Sequence, residues 1–236
     1  RLCEDENVQL LIDFGPQPIV HHLLDSKEQL YETYPFKLGT CHTCGFLQLV
    51  DHIPGEDLYQ NYFTISSWKN QPHVQRLLEV ISAIHPLTSS SKILEIGCND
   101  GSFLNSLKNK GLKNLVGIEP TQDASSIAIE KGFDVHKSFW NQDTAEKVGK
   151  KYGYFDLIVT RQVLEHVENL HDFLASTKKA LHQNGLLVIE IPDSSWNLEQ
   201  LDYALWEEHI NYFTKETINY LLKKQGYDVI GLFMKN

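Results

Sequence analysis

The chain has no apolar run near the 18 or so residues that a membrane-crossing helix needs, no Lys/Arg block, no internal repeat and no low-complexity tract. Each absence removes a class of function. With 21 basic against 31 acidic residues the net charge is −10, so a polyanionic partner is disfavoured, and neither nucleic acid nor membrane is expected. No signal-like stretch opens the sequence as given, and the cytoplasm is the expected location. Cysteine is scarce: there are four, and three of them fall within the first 44 positions. What is present is 236 residues with 42% apolar content, enough for one good core and a small appendage.

The most informative stretch is Lys92-Ile93-Leu94-Glu95-Ile96-Gly97-Cys98-Asn99-Asp100-Gly101. An apolar strand runs into a short turn bracketed by two glycines, where a ligand can approach bare backbone. Ser102 to Leu107 then shows helical apolar spacing, so the N–H groups of a helix start face the bound molecule. Leu115-Val116-Gly117-Ile118-Glu119 reads as a second buried strand, with a carboxylate 22 positions after Gly97. Folds of this kind place there the group that hydrogen-bonds a ribose diol, so the expected ligand is an adenosine-type cofactor. A dinucleotide fingerprint would want glycines at 99 and 102, which hold Asn99 and Ser102, and no Gly-Lys-Ser/Thr triplet follows. The turn from Glu95 to Gly101 resembles motif I of class I S-adenosyl-L-methionine (SAM) methyltransferases.

Tyr154 to Thr160 has strand composition and leads into Arg161-Gln162-Val163-Leu164-Glu165-His166-Val167, expected to start a helix. This places Gln162 to His166 at the carboxyl edge of a parallel sheet, where ligands bind. Leu186 to Ile191 reads as a further strand, ended by Pro192, which has no N–H to donate. Strands and helices alternate throughout residues 91–236, the pattern of a doubly wound α/β domain. A bridging helix over His73–Ile84, with Leu77, Leu78, Ile81 and Ile84 on one face, and a Ser89-Ser90-Ser91 linker occupy 71–90.

Residues 1–70 read differently: irregular, aromatic, and poor in strand signals. Cys41-His42-Thr43-Cys44-Gly45 is a knuckle that points two thiolates at one metal. Cys3 is the evident third ligand. The fourth is open, lying three residues before Cys3 and outside the sequence, or at His21, His22 or His42. A structural zinc would supply what so small a core does not. Cys98 belongs to the cofactor turn and is read as no ligand.

Taken with Phe14-Gly15-Pro16-Gln17-Pro18, Tyr34-Pro35-Phe36-Lys37-Leu38, Cys41 to Leu49, and Tyr59-x-x-Tyr62, the chain resembles the bacterial deoxysugar C-methyltransferases that act on nucleotide-linked keto-sugars. The resemblance runs along nearly all of the sequence. It implies a class I, Rossmann-like SAM domain behind a zinc-binding domain. Cofactor contacts are then expected from Glu95, Gly97, Asn99, Asp100, Gly101, Glu119, Pro120 and Gln162. The family's catalytic Tyr-His-Glu-His element aligns with Trp206-Glu207-Glu208-His209, which makes His209 the base that gives an enolate. His166 and Glu208 are its expected active-site companions. Trp206 stands where the family has a tyrosine, and Thr64 stands where an N-terminal tyrosine would point into the same pocket. Because Trp cannot play a phenol's part, an O-methyltransferase on a sugar or other small molecule and a non-catalytic SAM-binding module remain as alternatives. The cluster Trp196, Tyr203, Trp206, Tyr212 and Phe213 reads as a lid or as packing. Family members carry a further C-terminal domain, and a sixth strand is expected to end at Gly231 to Asn236, so the sequence reads as a truncated member.

Overall fold

Buried apolar strands followed by amphipathic helices recur from residue 92 onward, and the computed structural model arranges them as that alternation predicts. It describes residues 1–20, 22–59, 71–195, 199 and 205–233. His21, Tyr62, Thr64, Trp196, Tyr203 and residues 234–236 lie outside the described residues. In chain order the elements are β1 (Val8–Gln17), β2 (Tyr34–Cys41), β3 (Leu47–Leu49), α1 (Gly55–Leu58), α2 (His73–Ile84), β4 (Lys92–Ile96), α3 (Ser102–Asn109), β5 (Asn114–Ile118), α4 (Gln122–Glu130), β6 (Asp134–His136), α5 (Gln142–Tyr152), β7 (Phe155–Arg161), a 3₁₀ turn (Leu164–His166), α6 (Leu170–Ala180), β8 (Leu181–Glu190), β9 (Asn211–Tyr212) and α7 (Lys215–Lys224). They fall into two units, one of Arg1–Tyr62, Gln162–Leu174 and Ile191–Leu232, the other of Phe63–Arg161, Ala175–Glu190 and Phe233–Asn236.

The second unit is built on a five-stranded sheet in the order β6-β5-β4-β7-β8, and every pairing is parallel. Its central strands are almost wholly buried because both faces are covered, which is why they read as continuous apolar runs. Leu78 and Ile81 of α2 pack in one cluster with Phe103 and Leu104 of α3 and with Leu157 and Val159 of β7. From β4 the chain steps outward through β5 and β6, then returns to the other side for β7 and β8. The reversal sets a topological switch point beside the end of β4, where ligands bind in open α/β sheets. The last strand begins at Leu181, earlier than expected, slips register against β7 between Phe155 and Leu157, and ends at Glu190, just before Pro192.

The first unit corrects one expectation outright. Residues 1–59 are not strand-poor: β1, β2 and β3 form an antiparallel sheet that β9 completes in the order β1-β2-β3-β9. Leu38, Leu49, Ile210 and Tyr212 form its core, so Tyr212 packs and is no lid. Phe213 is likewise buried, its ring 5.2 Å from that of Phe46. A second correction concerns the segment after β7, which forms only the short 3₁₀ turn before α6 begins at Leu170. A third concerns the sixth strand: residues 227–233 join no ladder, and Ile230 and Phe233 are exposed. A strand exists only by pairing, and among the described residues none pairs with this segment. Among the described residues no helix is long and apolar enough to cross a membrane.

Candidate active site

The glycine turn follows directly from β4. Gly97 has φ 74° and Gly101 φ 74°, and between them Asn99 takes φ 48°, a left-handed conformation uncommon outside glycine. Gly97 and Cys98 donate their N–H groups to the Ile118 carbonyl at 2.8 and 3.0 Å, which ties the turn to the end of β5. A Cβ at Gly101 would stand 2.9 Å from Phe133 Cδ2, so this glycine serves helix packing as well as the turn.

Carboxylates surround the turn. Glu119 accepts the Asn99 N–H at 2.9 Å on one oxygen, and the Thr121 N–H at 3.0 Å and the Thr121 hydroxyl at 2.7 Å on the other. Burial raises its carboxyl, and these bonds oppose the rise. Asp100 accepts the Ser102 N–H at 3.1 Å and the Lys131 ammonium at 2.8 Å. Glu95 is pushed well above the usual carboxylate range by burial, against the pull of Arg161, and its Oε2 has no hydrogen-bond partner among the described residues. An orphaned buried oxygen at Glu95, a left-handed glycine turn at Gly97 and a partly spent carboxylate at Glu119 together fit an adenosine cofactor with an amino-acid end. Pro120 follows Glu119 at the entrance to α4. Gln162, expected as a further cofactor contact, has φ 53° directly after β7 and belongs to the first unit.

In the first unit two stretches distant in sequence bring histidines together. The Ile210 N–H donates to the Glu165 carbonyl at 2.9 Å, and the Asn211 side chain donates to the carbonyls of Leu164 at 3.2 Å and Val167 at 2.7 Å. These bonds fasten the 206–211 turn to the 3₁₀ turn. His166 and His209 then meet edge to face with ring centroids 4.8 Å apart, and Trp206 lies 4.9 Å from His209. His166 Nδ1–H donates to the Glu208 carbonyl at 2.8 Å, because a carbonyl only accepts, and Nε2 keeps its lone pair. Burial, together with the neighbouring His166, pushes His209 down to about 3. Burial also lowers His166, against the charge and carbonyl of Glu208. Both rings are therefore neutral at pH 7.

Glu208 reaches this pair through its backbone carbonyl. Glu207 is engaged elsewhere, accepting the Val20 N–H at 2.6 Å, and both glutamates sit in a turn. Glu165 and Asn211 were missed by the sequence reading. The signal for Glu165 was only its place beside His166, and for Asn211 there was none.

The three N-terminal cysteines converge. Their sulfurs lie within 4.8 Å of one another, and Cys3 Sγ is 3.4 Å from Cys41 Sγ. Zinc–sulfur bonds of about 2.3 Å in a tetrahedron place sulfurs roughly 3.8 Å apart, so the set fits zinc. Cys41 ends β2, and the knuckle is closed by the Gly45 N–H donating to the Cys41 carbonyl at 2.8 Å. Neither His22 nor His42 joins this group among the described residues. Cys98 is buried apart, against β5.

Comparison with known proteins agrees with both halves. A family model described as "Methyltransferase domain" matches residues 67–232, and one described as "Putative zinc binding domain" matches residues 1–59. The chain is 23% identical to the C-methyltransferase NovU of Streptomyces niveus over 98% of its own length and 56% of NovU's. It is 25% identical to a ubiquinone biosynthesis O-methyltransferase of Rickettsia canadensis over 64% of each. It thus spans less than two thirds of the length of these curated relatives. Among solved structures, the plantazolicin methyltransferase BpumL, in complex with a pentazolic desmethylPZN analog and SAH, superposes with TM-score 0.53 at 17% identity, over 67% of this chain and 66% of that one. That likeness is one of fold.

Proposed function

The chain belongs to the SAM-dependent methyltransferases, with a zinc-binding domain ahead of the methyltransferase domain, and on that premise we propose that it methylates a carbon of a nucleotide-linked keto-sugar in the cytoplasm, with His209 as base. SAM, when bound, supplies a methyl group made electrophilic by its sulfonium. The chain's own residues do the rest. Glu119 accepts the ribose hydroxyls with the lone pairs not given to Asn99 and Thr121. The turn from Gly97 to Gly101, with Glu95, Asn99 and Asp100, receives the amino-acid end, and Pro120 and Gln162 flank the cofactor. A ring nitrogen of His209 takes the proton from the carbon beside the ketone. The C–H electron pair moves into the enolate, and as that carbon bonds to the methyl group the methyl–sulfur bond would break, its electron pair staying with the departing thioether. His166, oriented by the Glu208 carbonyl, keeps Nε2 as the acceptor that relieves His209 of its proton. In this reading residues 1–70 hold zinc and contact the substrate, 71–90 bridge, and 91–236 bind SAM.

The observation that carries the reading is the meeting of His166 and His209 as adjacent neutral imidazoles. A screen of nucleotide sugars with methyl-labelled SAM tests it: label in a sugar supports the reading, and its absence with every keto-sugar removes it. A second reading, O-methylation with His209 acting on a hydroxyl, is favoured by the low basicity of His209, because abstraction from carbon asks more of a base. Deuterium exchange at the sugar carbon without methyl transfer separates the two, since only the first reading loosens that C–H bond.

A further inference from the structure

Three donor groups share one small volume in the histidine site, and the proposed reaction assigns no part to one of them. A carboxylate oxygen of Glu165 and one nitrogen each of His166 and His209 all lie within 4.8 Å of one another. His166 Nε2 stands 3.9 Å from Glu165 Oε1. A divalent first-row metal about 2.0 to 2.2 Å from each ligand atom holds such atoms roughly 3 to 4 Å apart, so closing the set needs only small side-chain movements. The supporting bonds are of the kind a metal site uses. His166 Nδ1–H is held by the Glu208 carbonyl at 2.8 Å, which turns the Nε2 lone pair away from it and fixes the tautomer. Glu165 is 1% exposed, and its carbonyl accepts the N–H of Ile210, next to His209. Two stretches that are far apart in sequence are thereby locked in one arrangement before any ion arrives.

The donor set selects the ion class. One carboxylate and two imidazoles suit zinc, cobalt or nickel, whereas calcium and magnesium prefer oxygen ligands. The set is also distinct in chemistry from the three thiolates of Cys3, Cys41 and Cys44, which share no residue with it.

We propose that Glu165, His166 and His209 form a second metal site, which takes a divalent transition-metal ion and, when filled, withdraws the His209 lone pair and inhibits methyl transfer. The inhibition rests on the reading of His209 as base. The binding does not.

The test is a titration of the full chain, its thiolate site already filled with zinc, with Co²⁺. One further equivalent should bind with visible ligand-field bands and without the intense near-ultraviolet bands that thiolate–cobalt bonds produce. Glu165→Gln, His166→Asn and His209→Asn should each weaken binding at least 10-fold, with retained SAM binding as the control for folding. Thiolate bands alone, or an affinity unchanged in Glu165→Gln and His166→Asn, would overturn the site. With an active acceptor in hand, saturating Co²⁺ should lower turnover at least 10-fold and dialysis should restore it. Full turnover at full occupancy would overturn the inhibition. A chain without turnover on any acceptor removes the inhibition together with the base reading, while the titration still decides the site.

Discussion

Replacing Glu119 tests the cofactor turn and its scaffold together. Its carboxylate receives the Asn99 N–H at 2.9 Å, the Thr121 N–H at 3.0 Å and the Thr121 hydroxyl at 2.7 Å, and the residue is 6% exposed. Glu119→Ala leaves two backbone N–H groups without their acceptor, each costing about 1 to 3 kcal/mol where water does not replace it. The hydroxyl can rotate to another partner. The free energy of unfolding should therefore fall by about 2 to 4 kcal/mol. If the same carboxylate accepts ribose hydroxyls, SAM affinity should fall by about 2 to 3 kcal/mol, roughly 30- to 150-fold. Glu119→Gln separates the two effects. It keeps one acceptor oxygen but turns an NH₂ group toward one of the donors, so stability should drop by about 1 to 2 kcal/mol while most of the affinity loss remains. Urea unfolding and calorimetry with SAM read the two quantities. An affinity within twofold of the parent chain in both variants would remove Glu119 from the cofactor site, and an unchanged urea midpoint in Glu119→Ala would refute the scaffold argument.

Elemental analysis should find about one zinc per chain, and Cys41→Ser should release it and lower the melting temperature while SAM affinity stays nearly intact; metal-free protein that melts unchanged would refute the thiolate site. Burial pushes the Asp100 carboxyl up, but the bonds from Lys131 and Ser102 outweigh it and leave the carboxyl below its ordinary 3.8. A carboxyl lowered on folding contributes stability above its unfolded pKa and loses it as pH falls through the folded one. Asp100→Asn should thus cost about 1 kcal/mol at pH 7, a low figure because Lys131 is partly exposed, and the difference should shrink in urea titrations as pH falls through the lowered pKa of the folded carboxyl. Gly101→Ala forces a side chain into φ 74° with its Cβ 2.9 Å from Phe133, so about 2 kcal/mol or more of stability should be lost, read as a lower urea midpoint.

How much was legible depended on whether the information was local. The strands around Ile93, Val116 and Leu157 could be read because both faces of a parallel sheet are covered, which leaves an unbroken apolar run. β1 could not be read that way: Leu10, Leu11 and Ile12 are each about half exposed, so the edge strand has no alternation to detect. The turn from Gly97 to Gly101 and the carboxylate of Glu119 are contiguous or at a fixed spacing, and the structure joins them through the Asn99 N–H. Glu165 and Asn211 gain their meaning only from tertiary structure, since the Asn211 amide bonds carbonyls 44 and 47 positions away. Burial beside His166 moves His209 to about 3, a shift that no local pattern encodes.

The central claim is methyl transfer to a sugar carbon with His209 taking the proton, and one measurement addresses it most directly. The full chain is incubated with methyl-labelled SAM and a nucleotide-linked keto-sugar, and the product is examined by NMR for a new carbon–methyl bond, alongside His209→Asn. The account predicts label on the carbon next to the ketone, with turnover lowered by about two to four orders of magnitude in the variant and SAM affinity little changed. Label on an oxygen, or a His209→Asn chain that retains most of its turnover, would contradict it.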